Sequence, residues 1–101
     1  MTTKVIFRMF KNPYDKNDDV IALFPELPGD MNPHVTCLSY QHIGQHGAAC
    51  VNLTGQYTKP AKEDQYKDLL AELVSIGYDD LKISHKATQR DLQKRIDGCN
   101  A

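Results

Sequence analysis

Apolar and charged positions interleave from Lys4 to Lys11, where Val5, Phe7 and Met9 are set against Lys4, Arg8 and Lys11. A period of two marks a strand with one buried face, so this segment is expected to be the first strand. Residues 12–18 (Asn-Pro-Tyr-Asp-Lys-Asn-Asp) are rich in turn formers and predict an exposed hairpin loop. Val20 to Phe24 is apolar at every position, the pattern of a central strand covered on both faces. Pro25 ends that run, and three prolines and a glycine between Pro25 and Pro33 predict a connecting loop.

A third strand is expected over Val35 to His42. The reversal is placed at Ile43-Gly44-Gln45-His46-Gly47, because glycine takes positive φ at little cost. A fourth strand is expected over Ala48 to Thr54. From Glu63 to Ile76 the period changes. Tyr66, Leu69, Leu70, Leu73, Val74 and Ile76 recur at helical spacing, Glu63 and Asp64 suit the positive end of the helix dipole, and Gly77 is placed to end it. Leu81 to His85 predicts a short strand with Leu81 and Ile83 inward. Thr88-Gln-Arg-Asp91 has the spacing of a capping box, with Asp in place of Glu, and opens a last helix to about Asp97. The order β-β-β-β-α-β-α reads as one α+β domain over residues 1–101, a mostly antiparallel sheet with two helices on one face. Residues 1–3 and 98–101 are expected to be flexible.

Composition narrows the function more than it defines it. With 101 residues there is room for one modest core. Twelve Lys and Arg against 13 Asp and Glu leave a net charge of −1, and neither half is strongly basic. That argues against a sequence-independent grip on nucleic acid, which needs a surplus of cations. No run approaches the roughly 18 apolar residues that cross a bilayer, and Lys4 and Arg8 interrupt the apolar start, so a cytoplasmic location is expected. The three cysteines are an odd number, and free thiols are expected. Cys37 and Cys50 fall in strand-like segments, and Cys99 is expected to be exposed.

The densest polar chemistry is Ser39 to Cys50. Tyr40, Gln41, His42, Gly44, Gln45, His46 and Gly47 form the candidate ligand- or partner-binding site, since imidazoles and amides there flank backbone that small residues leave accessible. A metal held by His42, His46 and either Cys50 or His34 is an alternative. The spacing lacks the paired Cys-x-x-Cys of closed sites, and no cofactor is expected. Lys86, Arg90, Lys94 and Arg95 on the last helix read either as a solvated face or, as a weaker alternative, as a nucleic-acid contact.

Catalytic arrangements fare worse. His34-Val-Thr36 is a single His-x-Thr with no second copy, and no phosphate-cradling glycine loop is present. Cys50 lies between Ala49 and Val51, where burial raises a thiol's pKa instead of lowering it. Asp18-Asp19 and Asp79-Asp80 read as solvated turns. No catalytic residue is expected.

The blocks Val20-Ile-Ala-Leu-Phe-Pro-Glu26 and Ser39-Tyr-Gln-His-Ile-Gly-Gln-His-Gly-Ala-Ala49 resemble those of short bacterial and phage proteins that travel with mobile elements. The similarity continues through Glu63-Asp-Gln-Tyr66, Leu69-Leu70 and Ile76-Gly-Tyr78 and spans residues 4–86. It implies a compact domain and a mobile-element role, and it assigns no activity. The expected function is a small non-catalytic binding protein that engages a host protein or a small polar ligand through residues 40–49, for instance to inhibit a bacterial defence system.

Overall fold

A computed structural model of the chain describes residues 2–10, 20–41, 45–50 and 58–100, excepting the side chains of Gln45 and Cys50. The elements in chain order are β1 (Thr3–Phe10), β2 (Val20–Phe24), β3 (Thr36–Gln41), β4 (Gln45–Cys50), β5 (Thr58–Pro60), α1 (Glu63–Ser75), β6 (Leu81–Ser84) and α2 (Gln89–Cys99). The strands form one sheet in the order β4-β3-β2-β1-β5, with β6 also on β1. Among the described residues, only the β1–β6 pairing is parallel. The α+β class and the mostly antiparallel sheet are those that the patterning predicts. The expected loop over residues 12–18 lies outside the described residues.

The register sorts the side chains into two faces. Phe7 opposes Ala22, Ala22 opposes Tyr40, and Tyr40 opposes His46, so these four form one row across the sheet. Val5, Phe7, Ala22, Phe24 and Tyr40 on that face pack with Leu69 and Leu73 of α1. Ile6, Ile21, Leu23 and Cys37 occupy the other face and are all buried. Ile21 to Phe24 is buried throughout, as its unbroken apolar run requires of a central strand. The radius of gyration, 12.8 Å, matches the ~13 Å of a folded domain of this length.

Three parts of the fold depart from expectation. β4 starts at Gln45 and not at Ala48, because Gln41 pairs with Gln45 and pulls the strand back toward the turn. Gly47 therefore lies inside a strand with no positive φ, and residues 42–44, on which the expected reversal partly falls, lie outside the described residues. β5 carries no signal in the sequence, since Thr-Lys-Pro has no periodicity. It forms because Arg8 on β1 reaches over to donate to the Thr58 hydroxyl (3.0 Å) and carbonyl (2.9 Å). Ile83, expected inward, is 39% exposed because β6 borders only the end of β1.

α1 ends as its sequence demands. Gly77 adopts φ 121°, the Gly77 N–H donates to the Val74 carbonyl and the Tyr78 N–H to the Leu73 carbonyl. This is a Schellman closure, and it turns Tyr78 back onto the sheet, where its ring stacks on Phe24 at 4.9 Å. α2 starts with the expected reciprocal box: Asp91 accepts from the Thr88 N–H (2.8 Å) and Thr88 Oγ1 from the Asp91 N–H (3.3 Å). Its fully buried residues are Asp91 and Arg95, with Leu92 and Ile96 only half-buried. α2 is thus attached largely by polar contacts to the start of β1 and to the segment that follows β2. Gly29 in that segment lies so close to β3 and β4 that an added Cβ would sit 2.5 Å from the Cys37 carbonyl oxygen. Among the described residues, no helix is long and apolar enough to cross a membrane.

Candidate functional site

Residues 40–49 divide between core and surface. Tyr40 is 1% exposed and its hydroxyl donates to the Glu72 carboxylate of α1. Tyr40 is thus unavailable to an outside ligand, because the row it shares with Phe7 and Ala22 faces α1. Gln41 is half-buried and pairs with Ile21 and Gln45. His46 is exposed at the end of the same row, packed edge-on against Tyr40 at 4.8 Å. Its Nε2 lies 2.9 Å from the Tyr78 hydroxyl. Burial pushes the Tyr78 phenol up, so it keeps its proton at neutral pH. His46 therefore closes a Glu72–Tyr40–His46–Tyr78 cluster that ties β3 and β4 to both ends of the α1 C-terminal turn. Gly47 and Ala48 are exposed, and a Cβ built on Gly47 meets nothing within 4 Å. His42 and Gly44 lie outside the described residues, as does the side chain of Gln45.

β4 is an edge strand with no partner on its outer side among the described residues. Its six residues, Gln45-His46-Gly47-Ala48-Ala49-Cys50, include no Lys, Arg, Asp, Glu or Pro. The opposite edge differs. β5, described over Thr58–Pro60, carries Lys59 and Pro60. Lysine and proline are among the devices that keep a strand edge from pairing with other chains. One edge of this sheet has both, and β4 has neither.

The alternative metal ligands do not converge in what is described. Among the described residues no three His, Cys, Asp or Glu side chains could hold a metal ion together. His34 is exposed in the loop before β3, away from His46 in the strand pairing, and the Cys50 side chain is outside the described set. Cys37, in β3, is buried. Cys99 is half-buried instead of exposed, with Sγ 3.3 Å from the Asp30 carbonyl oxygen.

The basic residues of α2 separate in the same way. Lys86, Arg90 and Lys94 are exposed, whereas Arg95 is 3% exposed and donates to the Pro25 (2.5 Å) and Pro33 (2.8 Å) carbonyls. Arg95 is therefore a structural anchor and no part of an accessible cationic face. On the helix side that meets β1, Lys4 Nζ is 2.7 Å from Asp91, and Lys94 Nζ is 2.5 Å from Glu26. Glu26 also accepts from the Lys4 N–H at 3.1 Å. Lys4 and Glu26 carried no local signal in the sequence, because their partners lie far along the chain.

These carboxylates make part of the stability pH-dependent. Burial by itself raises the Asp91 carboxyl, but hydrogen bonds from Lys4 and the Thr88 N–H, with the Lys4 charge, outweigh it and hold the group below its ordinary value. For Glu26, burial is likewise outweighed, by Lys94 and the Lys4 N–H. A depressed carboxylate stabilises the fold above its unfolded pKa, about 4, and that contribution is lost as pH falls toward the folded value. Urea midpoints measured from pH 7 downward are expected to hold steady to about pH 4.5 and then fall. In Asp91→Asn the acid slope is expected to be shallower; an unchanged slope would contradict the assignment.

No family model, curated protein or solved structure matches this chain.

Proposed function

We propose that this chain is a small non-catalytic binding protein of phage or mobile-element type that engages a host protein by adding an extended segment of that partner to β4. The observation that carries this reading is the contrast between the sheet's two edges: β5 carries lysine and proline, while β4 is uncharged and has no partner on its outer side among the described residues. Strand addition draws its affinity from main-chain hydrogen bonds and its specificity from side chains next to the edge. Gly47 and Ala48 leave room for an approaching backbone, and His46 offers a polar contact held in place by Tyr78. The likeness of the Ser39–Ala49 block to mobile-element proteins favours a host target, such as a component of a defence system, over a small polar ligand.

Gly47→Lys tests this without disturbing the fold, since the position has normal φ and no neighbour within 4 Å of a built Cβ among the described residues. Stability is expected to change by less than about 1 kcal/mol, because glycine is itself a poor strand residue. Capture from bacterial lysate should yield one stoichiometric protein with the wild type and at least tenfold less with Gly47→Lys. Amides of residues 45–50 should gain hydrogen-exchange protection in the complex. Equal capture by the variant, unchanged exchange in β4, or no stoichiometric partner would each reject the reading.

A further inference from the structure

A second recognition surface lies away from β4. Where α2 crosses the start of β1, the chain encloses an open cavity of about 360 Å³ lined by Lys4, Lys82, Arg90 and Lys94, with Glu26 and Asp91 between them. Four cations and two carboxylates give the lining a net charge of +2. Lys4 and Lys94 are held by Asp91 and Glu26. The side chains of Lys82 and Arg90 make no hydrogen bond or ion pair among the described residues.

The register makes this concentration of charge noteworthy. Lys4 and Lys82 are direct partners in the parallel β1–β6 pairing, so two ammonium-bearing side chains stand side by side. Like charges opposed on neighbouring strands are destabilising. Asp91 relieves one of the two, and nothing among the described residues relieves the other. Two of the N–H groups that open α2, those of Thr88 and Asp91, are already taken by the capping box. The net charge of the lining comes from its side chains.

We infer that this cavity binds a small phosphate-bearing ligand, with Lys82 and Arg90 as direct contacts and Lys4 and Lys94 as charges fixed at its walls. A phosphomonoester carries about −1.5 to −2 at neutral pH, which complements the lining. Guanidinium and ammonium groups are the side chains that recognise phosphate, the first by paired N–H donors and the second as a point charge. The volume is at the lower end of the range for small-molecule sites, about 300–1,000 Å³, which excludes a large ligand from full enclosure.

Titration of the isotope-labelled full chain with glycerol phosphate and with pyrophosphate, followed by amide NMR, tests the assignment. Saturable one-to-one shifts are expected at Lys4, Lys82 and Thr88 to Asp91, much weaker with the monoanion acetate. Lys82→Ala and Arg90→Ala, both at exposed positions whose side chains have no partner among the described residues, should each weaken binding roughly tenfold, the effect of one lost charge-assisted contact. Lys86→Ala, outside the cavity, should stay within twofold of the wild type. Unsaturable shifts, equal binding of acetate, a Lys86→Ala loss matching that of Arg90→Ala, or an unaffected Lys82→Ala/Arg90→Ala double variant would overturn the proposal. So would preferential binding of an oligonucleotide with shifts spread over the outer side of α2.

Discussion

Replacing Phe24 with alanine is expected to lower the unfolding free energy by about 3–5 kcal/mol, the usual cost of deleting a fully buried ring. Phe24 has no exposed surface, sits in the cluster that joins the sheet to α1, and stacks on Tyr78. The loss exceeds simple transfer of the ring to water, because the site cannot collapse easily. Above Phe24 is a phenol whose position is set by the Gly77 turn, and beside it on β3 is Leu38, its register partner. A domain of this size has about 5–15 kcal/mol in total, so the variant would be close to unfolding at 25 °C. Urea denaturation measures the change directly. A loss below 1 kcal/mol would show that the Phe24–Tyr78 stack is peripheral to the core. Releasing Tyr78 should also free the His46 ring, which makes ring-proton shifts a second readout at the edge proposed for the partner.

The parts of this fold that were legible in the sequence are those decided by neighbours close in the chain. Val20–Phe24 needed only an unbroken apolar run ended by Pro25, and its bounds are the expected ones. The α1 span, its Gly77 stop and the Thr88–Asp91 box are likewise local and form as read. Val74 and Ile76, however, placed on the apolar side of α1, are 52% and 49% exposed, because only Leu69 and Leu73 are buried against the sheet. What stayed hidden depends on residues far apart. β5 exists because Arg8 reaches Thr58, fifty positions away. The Lys4–Lys82 pair is created by a parallel register that joins the two ends of the chain.

The candidate site follows the same division. The polar density of residues 40–49 was visible, but which of those side chains remain accessible is a matter of sheet face. Tyr40 and His46 share a row directed at α1, so the first is consumed by the core and the second is exposed only because the row runs past the helix. Whether the edge is open could not be read locally either. The absence of charge in Gln45 to Cys50 becomes meaningful only once β4 is known to be terminal and β5, at the far edge, is known to be guarded.

Arg95 provides the second large effect. On α2 it stands one position from Lys94, and charge spacing alone groups the two on a solvated face. The structure instead sends its guanidinium inward between two backbone carbonyls, those of Pro25 and Pro33. Arg95→Met keeps most of the aliphatic stem while removing the donors. Replacing a whole buried ion pair by apolar groups is often neutral, since both charges disappear together. This case differs because the acceptors are backbone and stay behind, one of them buried, with no donor among the described residues to replace the guanidinium. Each hydrogen bond from a charged donor is worth about 1.5–3 kcal/mol, and recovery of the cation's desolvation cost offsets part of the sum, so a net loss of about 2–4 kcal/mol is expected. Because α2 buries few apolar side chains, the loss should appear first as local detachment: amide exchange in Gln89–Cys99 should accelerate at least tenfold while β1 to β3 remain protected. Arg95→Lys, which supplies one compact charge in place of a fork, should fall between the two. If Arg95→Met left α2 exchange and the urea midpoint unchanged, α2 would be held by Lys4–Asp91 and Lys94–Glu26 alone, and the polar anchor would belong to those pairs.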